Sequence, residues 1–178
     1  MSDLIEGYLG KTVEGRKSRL PAKLDFMQSF TGGFLALFMW AHMLLVSSIL
    51  ISKDFMYMVT KLLEGSFIFE GGNPILVTIA AIIIFVVFIV HAALGMRKLP
   101  GNFKQYQVMK AHSKSMNHDD TKLWFIQAFT GFAMFFLGSV HLYIIMINSA
   151  DIGPYESADR IWSEWMWPLY IFLLLAVE

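Results

Sequence analysis

Three long stretches of this chain carry no Asp, Glu, Lys or Arg: residues 26–52, 71–96 and 123–150. Each exceeds the roughly 20 apolar residues that a helix needs to cross a bilayer. A fourth apolar run, residues 165–177, holds 13 uncharged residues and is too short to cross. Trp162, Trp165 and Trp167 lead into it, as suits a membrane–water interface. The pattern predicts an all-α bundle with spans near 26–52, 74–96 and 123–149 and an incomplete fourth at 165–178. A helix that starts at a Trp cluster and stops in mid-bilayer would leave its terminal carboxylate in hydrocarbon. The chain is therefore expected to be truncated, with the native protein continuing past Glu178. Residues 1–178 read as one integral membrane domain, and residues 1–25 lack the basic tip and apolar core of a signal peptide.

Composition agrees with the pattern. Of 178 residues, 56% are hydrophobic and 16% charged, against about 25% charged in a soluble domain. Cysteine is absent, which excludes disulfides, thiolate metal sites and Cys-ligated iron–sulfur clusters in this chain. A redox centre here must use His, Met or oxygen ligands. The net charge of zero gives no pointer to nucleic acid. Lys and Arg are unevenly placed: 5 in residues 1–25 and 6 in 97–122, against 2 in 53–70 and 1 in 151–164. By the positive-inside rule the N-terminus is cytoplasmic, and 53–70 and 151–164 face outward.

Each complete span contains one histidine: His42, His91 and His141. Ionisable side chains within a membrane are costly and face a partner, a cofactor or a water-filled path. Depth separates the three. Counted from Phe26 and Leu123, His42 lies about 24 Å and His141 about 27 Å from the cytoplasmic side, in a core of roughly 30 Å. His91, on a helix running the other way, lies about 8 Å from that side. Two imidazoles at one depth on different helices suit a bis-His haem. Protein-bound zinc or copper generally gathers three or four ligands, and only two meet here. Small residues next to the histidines (Gly138, Ser139, Ala41, Ala92, Ala93 and Gly95) are expected to let a flat ring approach. His91 then lacks a mate. A fourth helix starting near Trp165 would reach its depth about 13 to 17 residues later, at or just past Glu178. The first and third spans also share Q-x-F-T-G-x9-H, from Gln28 to His42 and from Gln127 to His141, offset by 99 residues. His112 and His118 fall in the basic connection and read as solvated. The twelve Met are scattered and read as packing.

Three charged residues stand out. Glu64 lies in an apolar outer connection with Leu62, Leu63 and Phe67, where a carboxylate suits proton acceptance from a reduced quinone. By residue type alone a solvated loop charge is the better expectation. Glu178 follows an unbroken apolar run and, on a continuing helix, is a candidate proton relay. Arg160 is the lone basic residue of the second outer connection. It suits a haem propionate or an exposed pair with Asp159 or Glu156.

Four segments carry a family resemblance: SRLPAKLDF (18–26), FIFEGG (67–72), TGFAMFFLGSVHLY (130–143) and SEWMWPLY (163–170). Through them the chain resembles the dihaem cytochrome b membrane subunits of bacterial menaquinol:fumarate reductases, within the succinate:quinone oxidoreductase family. The resemblance implies five membrane helices and two haems b. It implies that His42 and His141 hold the distal haem and His91 the proximal one. The second proximal ligand would be a His two positions beyond Glu178. Glu64 would be the acid needed for menaquinol oxidation and Glu178 a transmembrane proton relay. Gln28, Ser29 and Trp124 would lie near proximal propionates and Arg160 near a distal one. Implied partners are an iron–sulfur subunit and a flavoprotein subunit on the cytoplasmic side, membrane lipid and quinone, in an assembly compatible with a dimer of heterotrimers.

The expected function is a membrane anchor that oxidises menaquinol and passes electrons through two haems b toward fumarate, in the bacterial inner membrane. The same apparatus run backward would serve succinate oxidation. Two other readings are a haem-free proton or ion transporter using the membrane His and Glu, and a purely structural anchor.

Overall fold

The computed structural model describes residues 18–151, 153–156 and 166–177. Regular structure among them is all helical. Helix α1 (Leu20–Val46) runs into a 3-10 turn at Ser47–Leu50, then come α2 (Lys53–Leu63), α3 (Pro74–Met96), α4 (Phe103–Met116), α5 (Asp119–Ile147), a 3-10 turn at Ser149–Asp151, and α6 (Met166–Val177). Three of these are long and apolar enough to cross a membrane: Leu20–Leu50, Pro74–Met96 and Asp119–Ile147.

Local chemistry sets the ends. The Leu20 N–H donates to Ser18 Oγ at 3.1 Å, and Pro21 sits in the first turn of α1, where a missing N–H costs nothing. Helix α1 thus begins at Leu20, before the uncharged stretch that starts at Phe26, and includes Lys23 and Asp25. Asp25 is ion-paired with Arg97 and with Lys98, which ties the start of α1 to the residues just after α3. The side chain of Asn73 caps α3 by accepting from the Ile75 N–H at 3.0 Å, and Pro74 follows. Asn102 caps α4 from the Gln105 N–H. Helix α4 ends at Asn117 in the left-handed conformation, φ 45°. His118 then caps α5, its Nδ1 accepting from the Asp120 N–H at 3.3 Å. This histidine is exposed, in keeping with a solvated loop residue, and also shapes a helix start.

Neighbouring long helices run antiparallel. Gln28 of α1 faces Gly95 of α3, and Gly32 faces His91. Phe88 of α3 stacks on Phe135 of α5 at 6.1 Å. At the α2 end of the bundle Thr78 Oγ1 hydrogen-bonds Ser149 Oγ at 2.7 Å. Helix α6 packs on α5. Small residues at the crossings let the backbones approach, as is usual between membrane helices. Gly138 is one of them. A Cβ there would stand 3.3 Å from the Phe88 ring, so its smallness serves the α3–α5 contact.

Few side chains are enclosed. Ala81, Ile84, Ile144, Pro154 and Met166 are among the buried apolar residues of the described part, while Trp40 is 81% exposed. Leu37, Leu44 and Phe129 are also largely exposed. Apolar surface of this extent fits lipid, cofactor or further helices and not water.

Candidate functional site

The histidines occupy two levels of the bundle. At the α2 end, α1 and α5 bring His42 and His141 together. Their ring centres are 6.2 Å apart with planes at 61°. Phe38, one turn earlier on α1, stacks on His42 at 5.6 Å and 17°. Two imidazoles on opposite sides of one iron, with metal–nitrogen bonds of roughly 2 Å and about 1 Å more to each ring centre, hold those centres about 6 Å apart. A separation of this size is compatible with one iron held between the two rings. Edge-to-face ring contacts fall in the same range, so the distance acquires weight from the second level.

That level lies toward α4. His91 Nδ1 is 3.1 Å from the Gln28 carbonyl oxygen and 3.1 Å from Thr31 Oγ1. A carbonyl oxygen only accepts, so Nδ1 carries the proton and donates. The lone pair of the neutral ring then lies on Nε2, the tautomer of a metal ligand. Gly32 backs the ring: a Cβ there would come within 2.8 Å of His91 Cε1. Gly32 and His42 are ten residues apart on α1, or roughly 15 Å along the axis. His91 thus stands on a separate level of the bundle from His42 and His141. Among the described residues no group of three or more His, Cys, Asp or Glu side chains is placed to hold a metal ion.

The first copy of the repeated motif is now legible. Its Gln, Thr and Gly serve His91 on the neighbouring helix, and its His serves the pair with His141. In the second copy Thr130 bonds within its own helix, to the Ile126 carbonyl at 3.0 Å. The Gln28 side chain has its Oε1 buried without a partner among the described residues. It sits one turn before Gly32, as a group kept for a polar edge would. Ser29 is exposed on α1. Trp124 packs edge-on to Phe125 at 5.2 Å.

Glu64 overturns the expectation of a solvated loop charge. Only 2% of its surface is exposed, and its carboxylate accepts from Lys61 Nζ at 2.7 Å. Its backbone carbonyl accepts from the Asn73 N–H at 2.7 Å, which closes the loop between α2 and α3. Gly72 covers it. A Cβ at Gly72 would meet Glu64 Oε2 at 2.6 Å, and the φ of +83° there is left-handed, a conformation open to glycine at little cost. The hydrogen bond that Lys61 donates to the Glu64 carboxylate holds its ammonium above the ordinary lysine range. The Glu64 carboxylate is thus enclosed and paired with Lys61.

Arg160 and Glu178 lie outside the described residues. The sequence reading missed Thr31, Gly32, Lys61 and Gly72. The Thr–Gly step of the repeated motif and the i,i+3 spacing of Lys61 and Glu64 were the available signals.

A family model described as the succinate dehydrogenase/fumarate reductase transmembrane subunit matches residues 104–178. The chain is similar to the fumarate reductase cytochrome b subunit of Wolinella succinogenes, 58% identical over 175 residues, which are 98% of this chain and 68% of that protein. It is likewise similar to a fumarate reductase cytochrome b subunit of Helicobacter pylori, 52% identical over 176 residues, 99% of this chain and 69% of that one.

Proposed function

The chain belongs to the family of fumarate reductase cytochrome b subunits, and from that premise we propose that it carries electrons from menaquinol at the outer membrane face to an iron–sulfur subunit at the inner face, through two haems b. The coarse role follows from membership: a multi-pass subunit of the bacterial inner membrane, working in electron transfer within a quinol:fumarate oxidoreductase. A haem-free transporter or a purely structural anchor does not fit that membership. The relatives' names favour fumarate reduction over succinate oxidation as the direction.

The observation that carries the finer reading is the two-level arrangement of histidines, with His42 and His141 facing across 6.2 Å and His91 on its own level against Gln28 and Thr31. His42 and His141 would hold the distal haem, and His91 would give one ligand to the proximal haem. Haem b, when bound, supplies one-electron iron chemistry within a low-dielectric bundle. The protein's part is to fix ligand orientation, exclude water and move protons.

Glu64 would accept protons released from menaquinol, and Glu178 would relay protons through the membrane. The quinol itself supplies both the electrons and those protons. Gln28, Ser29 and Trp124 would meet proximal propionates and Arg160 a distal one. The basic segment 97–122 would face the cytoplasm. There Lys110, Lys114 and Lys122 line a cleft with Tyr106 and Phe125, a surface suited to the iron–sulfur subunit, which hands electrons to the flavoprotein that reduces fumarate. Residues 1–178 are proposed to act as one membrane domain. The test is a dithionite-reduced minus oxidised spectrum of the full-length subunit in its complex. Two haems b per subunit are expected, and absence of a haem b band would sink the reading.

A further inference from the structure

We propose that Thr31 and Gly32 of α1 form a positioning seat for the His91 imidazole, fixing its Nε2 as the ligand atom and setting the potential of the haem it holds. The inference rests on the reading that His91 is a haem ligand. It assigns a role to two residues through their contact with the His91 ring.

The seat has three parts. The first is the Gln28 carbonyl, which accepts from Nδ1 at 3.1 Å. The second is the Thr31 hydroxyl at 3.1 Å. Its own hydrogen goes back along the helix, to the Met27 carbonyl at 2.8 Å or the Gln28 carbonyl at 3.0 Å. A hydroxyl has one hydrogen and two lone pairs, so Thr31 offers the ring a lone pair and acts as a second acceptor. Thr31 is buried, 7% exposed, where a hydrogen bond is stronger than in water. The third part is the bare face of Gly32, whose missing Cβ leaves room for His91 Cε1. The adjacent Gly33 has nothing within 4 Å of a Cβ, so the close approach is particular to Gly32.

Two acceptors on Nδ1–H draw its proton outward and make Nε2 a stronger donor to iron. A stronger donor favours the ferric state and lowers the potential. Removing the Thr31 hydroxyl while keeping its shape must raise it, and the haem at His42 and His141 must not respond. A side chain at Gly32 must push the ring off its seat.

The test is an optical redox titration of haem b in the full-length subunit within its assembled complex. Thr31→Val is expected to shift the ferric/ferrous equilibrium of the proximal wave about tenfold, an upward move of about 59 mV for one electron, with the distal wave fixed. Thr31→Ser keeps the hydroxyl and is expected to restore the wild-type potential. Gly32→Ala is expected to lose the proximal wave, and Gly33→Ala to match wild type. The seat is wrong if Thr31→Val leaves the proximal wave in place, if Thr31→Ser behaves as Val does, or if Gly33→Ala does the same damage as Gly32→Ala. His91→Ala serves as the separate control. If both waves survive it, the haem assignment fails, and not the seat alone.

Discussion

The two histidine levels are built by different means. At the α2 end, His42 and His141 meet ring to ring, and Phe38 lies flat on one of them. Each comes from a different helix, and the pair is set by where α1 and α5 bring their ends. At the α4 end, His91 is seated against the next helix by a backbone carbonyl, a threonine hydroxyl and a glycine. A facing pair needs two helices in register. A seat needs only one neighbour. The contrast implies that the two ends are separable: damage at one should leave the other's spectrum intact.

The largest expected effect at the α2 end is on chemistry. Glu64→Gln keeps the shape and removes the basic oxygen. Menaquinol oxidation by the full complex should fall by roughly 100-fold or more, the scale of a lost general base, while both haem waves persist in redox titration. A proximal wave that moves in this variant would break the separation of the two ends.

Gly72→Ala should come next. It forces a side chain into a left-handed φ of +83° and against the Glu64 carboxylate. Strain of this kind costs about 1–3 kcal/mol. Thermal denaturation of the complex should show a lower midpoint, and quinol oxidation should fall with it. Gly71→Ala shares the left-handed strain, φ +81°, but has nothing within 4 Å of a Cβ. It should lower the midpoint and spare more of the activity. Equal losses of activity in the two would mean that contact with Glu64 is unimportant.

A smaller effect is expected from pH. The Lys61 ammonium is held above its ordinary value of 10.5 by the hydrogen bond it donates to Glu64. A folded value raised above the unfolded one gives stability that is fully present below the unfolded value and is lost as pH rises through the folded one. The difference in thermal midpoint between wild type and Lys61→Met should therefore be level from neutral pH to about the ordinary lysine value and shrink above it. A difference that already fades near neutrality would show that the pair does not hold in the membrane.

Much of this arrangement is legible in sequence because it depends on length and spacing. Uncharged runs mark spans, and a rise of about 1.5 Å per residue converts position into depth, which is enough to pair His42 with His141 and to set His91 apart. Helix ends are less legible. Uncharged runs report what hydrocarbon tolerates, whereas α1 starts where Ser18 and Pro21 can satisfy its first turn, with Asp25 neutralised by Arg97 and Lys98. The apolar neighbours of Glu64 suggest partial burial, but its full enclosure is not legible in sequence. It follows from a loop that folds back, with Gly65, Gly71 and Gly72 all at positive φ and the Asn73 N–H returning to the Glu64 carbonyl. The seat of His91 is hidden for a similar reason. Thr31 and Gly32 stand out in the sequence only as part of a motif shared with the third span, and only the antiparallel packing of α1 on α3 reveals that they meet His91.

The most direct measurement is an optical redox titration of haem b in the full-length complex, comparing wild type with His42→Ala and His91→Ala. Two waves in wild type, with a different one lost in each variant, is the predicted result. Loss of the same wave in both variants would contradict the two-level account.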